Sequence, residues 1–239
     1  MGVGCLIFCR VVRTFSNGAE CMETLIDAWC DIVVSDVMMP QMDGYELCSA
    51  IKNNTLTSHI PVILLTACST IDEKIKGLSC GADSYIPKPF YPKHTITRID
   101  ALLFNRKMMR ERFLVDEAII KGPNRGNKDN EFMTRLYKLF SDNLSNDEID
   151  IDEIASEMGV SRTLFFQKIK ALTNDSPYEL LKNYRLKRAA EYLAVGDVQV
   201  SEVSFLVGFK SRTHFSKLFK EKYGNTPGKY AKLAKDGEL

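Results

Sequence analysis

The sequence predicts an α/β domain followed by an all-α domain, and three observations carry that prediction. Up to about residue 105, short apolar, β-branched runs alternate with helical patterns. From Glu131 onward no strand pattern recurs, and apolar residues return every three or four positions. Between the halves lies a stretch rich in charge, Gly, Pro and Asn. A length of 239 residues suits two ordinary domains, at roughly 100–200 residues each.

In the first half, Ile32-Val33-Val34 and Pro61-Val62-Ile63-Leu64-Leu65 are continuous apolar runs, as strands covered on both faces are. Arg10 to Phe15 is a weaker strand candidate and Ser84-Tyr85-Ile86 a very short one. Helical patterns fall at Ala19–Ala28, Gly44–Asn53, Ile71–Cys80 and from Pro92 onward. This alternation predicts right-handed crossovers and a parallel sheet. The charged run from Arg106 to Arg112 reads as the tail of the last helix. The boundaries expected are 1–105 for the first domain, 106–130 for a linker and 131–239 for the second domain.

Composition narrows the function classes. The chain is 45% hydrophobic and 26% charged, with a formal net charge of +1. It can bury a core and is neither disordered nor supercharged. The seven cysteines (Cys5, Cys9, Cys21, Cys30, Cys48, Cys68 and Cys80) include no pair at metal-hairpin or redox spacing. His59, His94 and His214 lie far apart, so no structural metal site is expected. An odd thiol count fits a reducing, cytoplasmic setting. The apolar run within Gly2–Val12 is interrupted by Arg10 and is too short for a bilayer, which takes roughly 20 residues. It reads as a buried strand, and no membrane partner is expected.

Three strand ends carry the first chemistry. Asp31-Ile32-Val33-Val34-Ser35-Asp36 places Asp36 at the carboxyl end of a buried parallel strand, the rim where open α/β sheets bind ligands. The next strand ends at Leu65-Thr66-Ala67, and another connection carries Pro87-Lys88-Pro89-Phe90, with an X-Pro bond that is a candidate for cis. Carboxylate, hydroxyl and ammonium at one rim suit an aspartyl phosphate, with Lys88 and Thr66 binding phosphoryl oxygens.

The stretches SDVMMPQMDGYEL, PVILLTA and GADSYIPKPF, with their spacing, resemble a response-regulator receiver domain of CheY-like, flavodoxin-like fold over about residues 10–105. The resemblance implies Asp36 as phosphoacceptor, Thr66 as switch hydroxyl, Tyr85 as switch aromatic and Lys88 as the family's lysine. It also implies a first strand ending in an acidic pair that helps bind Mg²⁺. No Asp or Glu precedes Glu20 in this chain, so the receiver is expected to lack its first strand and first helix. Its metal site would be reduced to Asp36 and the Met38 carbonyl, with Mg²⁺ weak or absent. Phosphorylation at Asp36 is expected to be weak or nil. The sheet would have an open slot beside the Asp36 strand, which Val3–Phe8 could fill.

The second half contains helix-turn-helix grammar twice. Asp152 to Ser161 reads as a short helix, a glycine turn and a serine N-cap, followed by a helix over Arg162–Leu172. About fifty residues later Val200 to Ser211 repeats it, followed by a helix over Arg212–Tyr223. Between them, Ser176-Pro177 opens a helix ending near Ala194, before Gly196. Such a helix is about 27 Å long, a plausible spacer for two major-groove segments about 34 Å apart. The stretches VSRTLFFQKIKALTNDSPYELLKNYRLKRAAEYL and VGFKSRTHFSKLFKEKYGNTPGKYAK are similar to the DNA-binding domain of AraC/XylS-type regulators, over roughly Ile149–Leu233.

With Phe165, Ile169 and Leu172 inward, Thr163, Leu164, Phe166, Gln167 and Lys170 face outward on the first recognition helix. With Phe215 and Phe219 inward, Thr213, His214, Lys217, Lys220 and Glu221 face outward on the second. Gln167 suits adenine, Lys217 guanine or phosphate, and Thr163, Thr213 and Leu164 a thymine methyl. Arg162, Lys168, Ser211 and Arg212 are placed on the flanks as phosphate contacts. From Val160 to Leu233 there are fourteen Lys and Arg against six Asp and Glu, a net of +8, which suits a polyanion.

Together these readings predict a DNA-binding transcriptional regulator of two-component type, not an enzyme, with double-stranded DNA as partner. The order of domains resembles the C-terminal part of Bacteroidetes hybrid two-component regulators. A histidine kinase and a homodimer stay open as protein partners. The alternatives are a phosphotransfer or kinase-docking module, or a non-functional fragment of a hybrid sensor kinase.

Overall fold

The two continuous β-branched runs become the centre of a five-stranded sheet. The computed structural model describes residues 5–8, 12–27, 30–67, 79–115, 128–196 and 198–237. The chain divides into two compact units, one of residues 1–133 with 171–174 and one of residues 134–170 with 175–239.

In the first unit the elements run β1 (Cys5–Phe8), β2 (Val12–Phe15), α1 (Gly18–Asp27), β3 (Ile32–Asp36), α2 (Gly44–Asn53), β4 (Val62–Thr66), β5 (Ser84–Pro87) and α3 (Pro92–Val115). The spatial strand order is β2-β1-β3-β4-β5. The parallel sheet holds for β3, β4 and β5, while β1 pairs antiparallel with both β2 and β3. The slot beside the Asp36 strand is therefore not open. Cys5–Phe8 fills it, with Leu6 opposite Val34 and Phe8 opposite Ile32. A hairpin formed with the adjacent β2 satisfies the β3 backbone that an empty slot would leave unpaired. The predicted helix over Ile71–Cys80 lies outside the described residues up to Leu78.

Strand β3 is buried throughout, because both faces of the sheet are covered. One face packs Val33, Val62 and Leu64 against Cys21, Leu25, Leu47, Cys48 and Ile51 of α1 and α2. On the other face Ile32, Val34, Ile63, Leu65 and Ile86 receive Ile99, Leu102 and Leu103 of α3. Helix α3 runs on through the charged segment to Val115, as its sequence predicts, and the next helix, α4, begins at Lys128. The stretch expected as a linker thus carries helix at each end. The buried thiols Cys21, Cys30, Cys48 and Cys80 form no disulfide.

The elements that follow are helices: α4 (Lys128–Asp142), α5 (Ile151–Glu157), α6 (Arg162–Thr173), α7 (Pro177–Val195), α8 (Val200–Leu206), α9 (Arg212–Tyr223) and α10 (Pro227–Asp236). Tyr137 and Phe140 of α4 meet the ring of Tyr184 on α7. Phe165 and Ile169 of α6, and Phe219 of α9, are fully buried. Among the described residues, no helix is long and apolar enough to cross a membrane.

Candidate functional sites

The sheet register brings the predicted rim together. Asp36 pairs with Leu65 in the ladder and Thr66 with Pro87. Val37 N–H donates to the Leu65 carbonyl (3.0 Å) and Lys88 N–H to the Thr66 carbonyl (2.7 Å), so the three strands end in line. Asp36 is 9% exposed. Its Oδ2 lies 2.5 Å from Lys88 Nζ, and its Oδ1 accepts from the Met38 N–H at 3.3 Å. The Lys88–Pro89 peptide is cis. Asp43 caps α2 in a reciprocal box: Glu46 N–H donates to the Asp43 side chain (2.8 Å), and Asp43 N–H donates to the Glu46 carboxylate (3.0 Å).

Tyr85 reaches a different neighbourhood. Its hydroxyl lies 3.5 Å from Cys80 Sγ, among the residues between the sheet and α2. Burial of the phenol pushes its pKa up from the usual tyrosine value, with Cys80 adding to the shift. Burial likewise raises the Cys48 thiol, whose Sγ donates to the Cys80 carbonyl at 3.3 Å. Cys80 as the partner of Tyr85 was not apparent in the sequence, since only the β5 register fixes where that ring goes.

The strand beside β3, Cys5–Phe8, carries no carboxylate. Because β1 runs antiparallel, its first residues, not an acidic strand end, lie toward the Asp36 end of β3. The first carboxylate in the chain, Glu20, is committed to starting α1: Asn17 donates to its carboxylate (3.0 Å), and its N–H donates to Asn17 Oδ1 (2.9 Å). Among the described residues, no group of three or more His, Cys, Asp or Glu side chains could hold a metal ion. Asp36 meets the ammonium of Lys88, the residue that the resemblance makes the family's lysine.

The helical unit repeats its geometry at an offset of fifty residues. Helix α6 starts after Ser161 and α9 after Ser211, and each serine hydroxyl accepts an N–H three residues on, from Leu164 (3.4 Å) and His214 (3.3 Å). Each helix ends in a left-handed residue, Asn174 and Gly224. Each is followed by a capped helix with proline in its first turn, on Ser176-Pro177 and Thr226-Pro227. The duplication therefore extends past the recognition helices into the elements that carry them.

Most predicted outward residues are placed as expected. Arg162, Thr163, Lys170, Ser211, Arg212, Thr213, His214, Lys217, Lys220 and Glu221 are exposed, and Leu164 and Gln167 are half-buried. Lys168 is a correction: it is 1% exposed and cannot be a flanking phosphate contact. It follows Phe165 by three residues, about 60° around the helix, and so lies on the buried stripe. Arg162 is engaged within the unit, 2.6 Å from the Asp152 carboxylate of α5 and over the Phe166 ring at 5.3 Å. Phe166 is half-covered, its ring 5.8 Å from that of Tyr178. The Arg162–Phe166–Tyr178 stack escaped the sequence reading because it joins α6 to α7 across a turn.

Residues 8–100 match the response regulator receiver domain family, and residues 154–233 match a helix-turn-helix domain family. The N-terminal part is a response regulator receiver domain, and the C-terminal part is a helix-turn-helix domain. The chain is 42% identical over 215 residues to Histidine kinase P4 of Formosa agariphila, covering 90% of this chain but 16% of that protein. It is 39% identical over 92 residues to the transcriptional regulatory protein GltR of Pseudomonas aeruginosa, 38% of each chain. Among solved structures, it is similar to the signal receiver domain of a histidine kinase from Syntrophus aciditrophicus (40% identity, TM-score 0.37, 38% of this chain and 69% of that one). A DNA-binding transcriptional dual regulator from Escherichia coli K-12 is also similar (26% identity, TM-score 0.41, 44% and 93%). The chain spans about a sixth of the length of the first of these relatives and about two-fifths of the second.

Proposed function

We propose that this chain is a sequence-specific DNA-binding transcriptional regulator whose receiver domain transmits state with little or no phosphorylation at Asp36. The observation that carries the DNA-binding reading is the fifty-residue structural repeat. Helices α6 and α9 share cap, length and following helix, and both present exposed polar and cationic residues from their first turns. Two recognition helices held by one 19-residue helix, α7, can address successive major-groove segments without a second chain. Within that reading, Gln167, Lys217, Thr163, Thr213, Leu164, His214 and Lys170 meet base edges. Arg162, Ser211 and Arg212 fix the phosphates, Arg162 after exchanging Asp152 for a phosphate oxygen.

For the receiver, the absence of Asp and Glu before Glu20 supports a weak Mg²⁺ site. A histidine kinase is the partner class that suits a receiver. A cytoplasmic setting accompanies this function, since the DNA is there. The test is selection of bound duplexes from a random pool at physiological salt, with and without a small-molecule phosphoryl donor. The expected result is a defined bipartite sequence that is the same in both arms. Recovery of unselected sequence would overturn the reading.

A further inference from the structure

Helix α7 is joined to the ends of both recognition helices at one residue. Helix α6 closes on the left-handed Asn174, and the next residue, Asp175, accepts at its Oδ2 from Asn183 Nδ2 of α7 (3.2 Å). From the last turn of α9, Lys222 Nζ donates to Asn183 Oδ1 (3.1 Å) and to the Asn183 carbonyl (3.2 Å). The Asn183 amide thus donates toward one recognition helix and accepts from the other. Neither a carboxylate, which only accepts, nor an apolar side chain could do both. Burial lowers the Lys222 pKa and Asp175 opposes that shift, so carboxylate, amide and ammonium form one connected chain.

This tie departs from the fifty-residue repeat. At that offset Asp175, Asn183 and Lys222 correspond to Asn225, Leu233 and Leu172. The second copy has a leucine at the place of Asn183, and the first has a buried leucine at the place of Lys222. A bond needed only to fold a helix-turn-helix would recur in both copies; this one joins them. The join sets register, because one base pair is about 3.4 Å along the duplex and about 36° around it. A recognition helix free to swing about its end presents a lower effective concentration to its half-site. We infer that Asn183 is the positioning residue that fixes α6 and α9 at one separation and rotation, by holding Asp175 and Lys222 at a single point of α7. The inference rests on the DNA-binding reading proposed above.

Binding of the full chain to the bipartite duplex recovered from the random pool tests this. The same duplex is compared with one or two base pairs added or removed between its half-sites, and with each half-site alone. The wild type favours one spacing by roughly tenfold or more, and Asn183→Leu flattens that preference to within about twofold. Asn183→Leu leaves the affinity for each single half-site and the circular dichroism spectrum unchanged, which a merely structural role would not. Asn183→Asp, which sets two carboxylates against each other, flattens the preference as well. The double variant Asp175→Asn/Asn183→Asp reverses donor and acceptor, keeps the acceptor for Lys222 and the net charge, and restores the preference. A spacing optimum that survives Asn183→Leu overturns the inference, as does half-site binding lost in step with bipartite binding, or a double variant that fails to rescue. A wild type that binds its selected duplex without regard to spacing overturns this inference alone. A wild type that selects no sequence overturns the DNA-binding reading with it.

Discussion

Gly44 lies flat against the backbone of Asp36: a methyl group on its α-carbon would stand 2.3 Å from the Asp36 carbonyl oxygen and 2.9 Å from Val37 Cα. Gly44 N–H also donates to the Val37 carbonyl at 3.0 Å. The Asp-Gly turn that opens α2 thus sits on the strand end that presents the candidate phosphoacceptor. Gly44→Ala forces one of the two backbones to move, and overpacking of this kind costs about 1–3 kcal/mol. The receiver melting transition should fall by roughly 4–8 °C for each kcal/mol. An unchanged Tm would contradict the packing described.

At the rim itself, beryllofluoride with Mg²⁺ should produce no saturable change in tyrosine fluorescence or hydrodynamic behaviour that depends on Asp36. Asp36→Asn is the control. A saturable response in the wild type that this variant abolishes would show that the site recruits the metal despite its donor set.

The recognition helices separate two lysines that look alike in the sequence. Lys217→Ala should lower the slope of log K against log salt by about 1, one phosphate contact's worth, or relax preference at one base position. Lys168→Ala should leave that slope unchanged and instead destabilise the helical unit by about 1–3 kcal/mol, because it empties a buried site. Gln167→Ala should relax discrimination at a particular base pair, checked by binding to a panel of single-substituted duplexes. Equal salt slopes for all three variants, with no base preference relaxed by Lys217→Ala or Gln167→Ala, would mean the helix faces are wrongly drawn.

These contrasts mark what periodicity could and could not reveal. Strands β3 and β4 were legible because a strand covered on both faces must be apolar at every position. The caps at Ser176 and Ser211 were legible because helix starts use side-chain oxygens. The segment beside β3 was legible, since the apolar run Val3–Phe8 was the expected occupant of the slot, but its antiparallel direction was not, because no local pattern encodes strand direction. Lys168 was misplaced because its residue type outweighed its helical phase. Its long stem can lie on the buried stripe where a shorter charge could not. The site was half legible: Asp36 and Lys88 meet as their strand ends require, whereas the turn of Tyr85 toward Cys80 depends on side-chain packing.

Alkaline pH offers a probe of the second unit. Burial pushes the Tyr223 phenol up from 10.0 to about 12, with Tyr230 adding to the shift. A raised folded-state value means the unfolded chain releases this proton first, so the contribution is complete below pH 10 and is lost as pH rises toward 12. Lys222, whose pKa burial lowers from 10.5, acts in the opposite sense below that value, so total stability does not isolate the tyrosine. The comparison with Tyr223→Phe does. The wild type should lose stability relative to this variant between pH 10 and 12, measured by urea denaturation. A constant difference across that window would contradict the burial assigned to the ring.

Hydroxyl-radical footprinting on a selected duplex tests the central claim, that α6 and α9 enter neighbouring major-groove segments of one DNA molecule. The account predicts two protected windows on the same face of the duplex, about 10 base pairs apart, with Gln167→Ala altering only one and Lys217→Ala only the other. A single protected window, or uniform protection that fades with salt and ignores sequence, would contradict it.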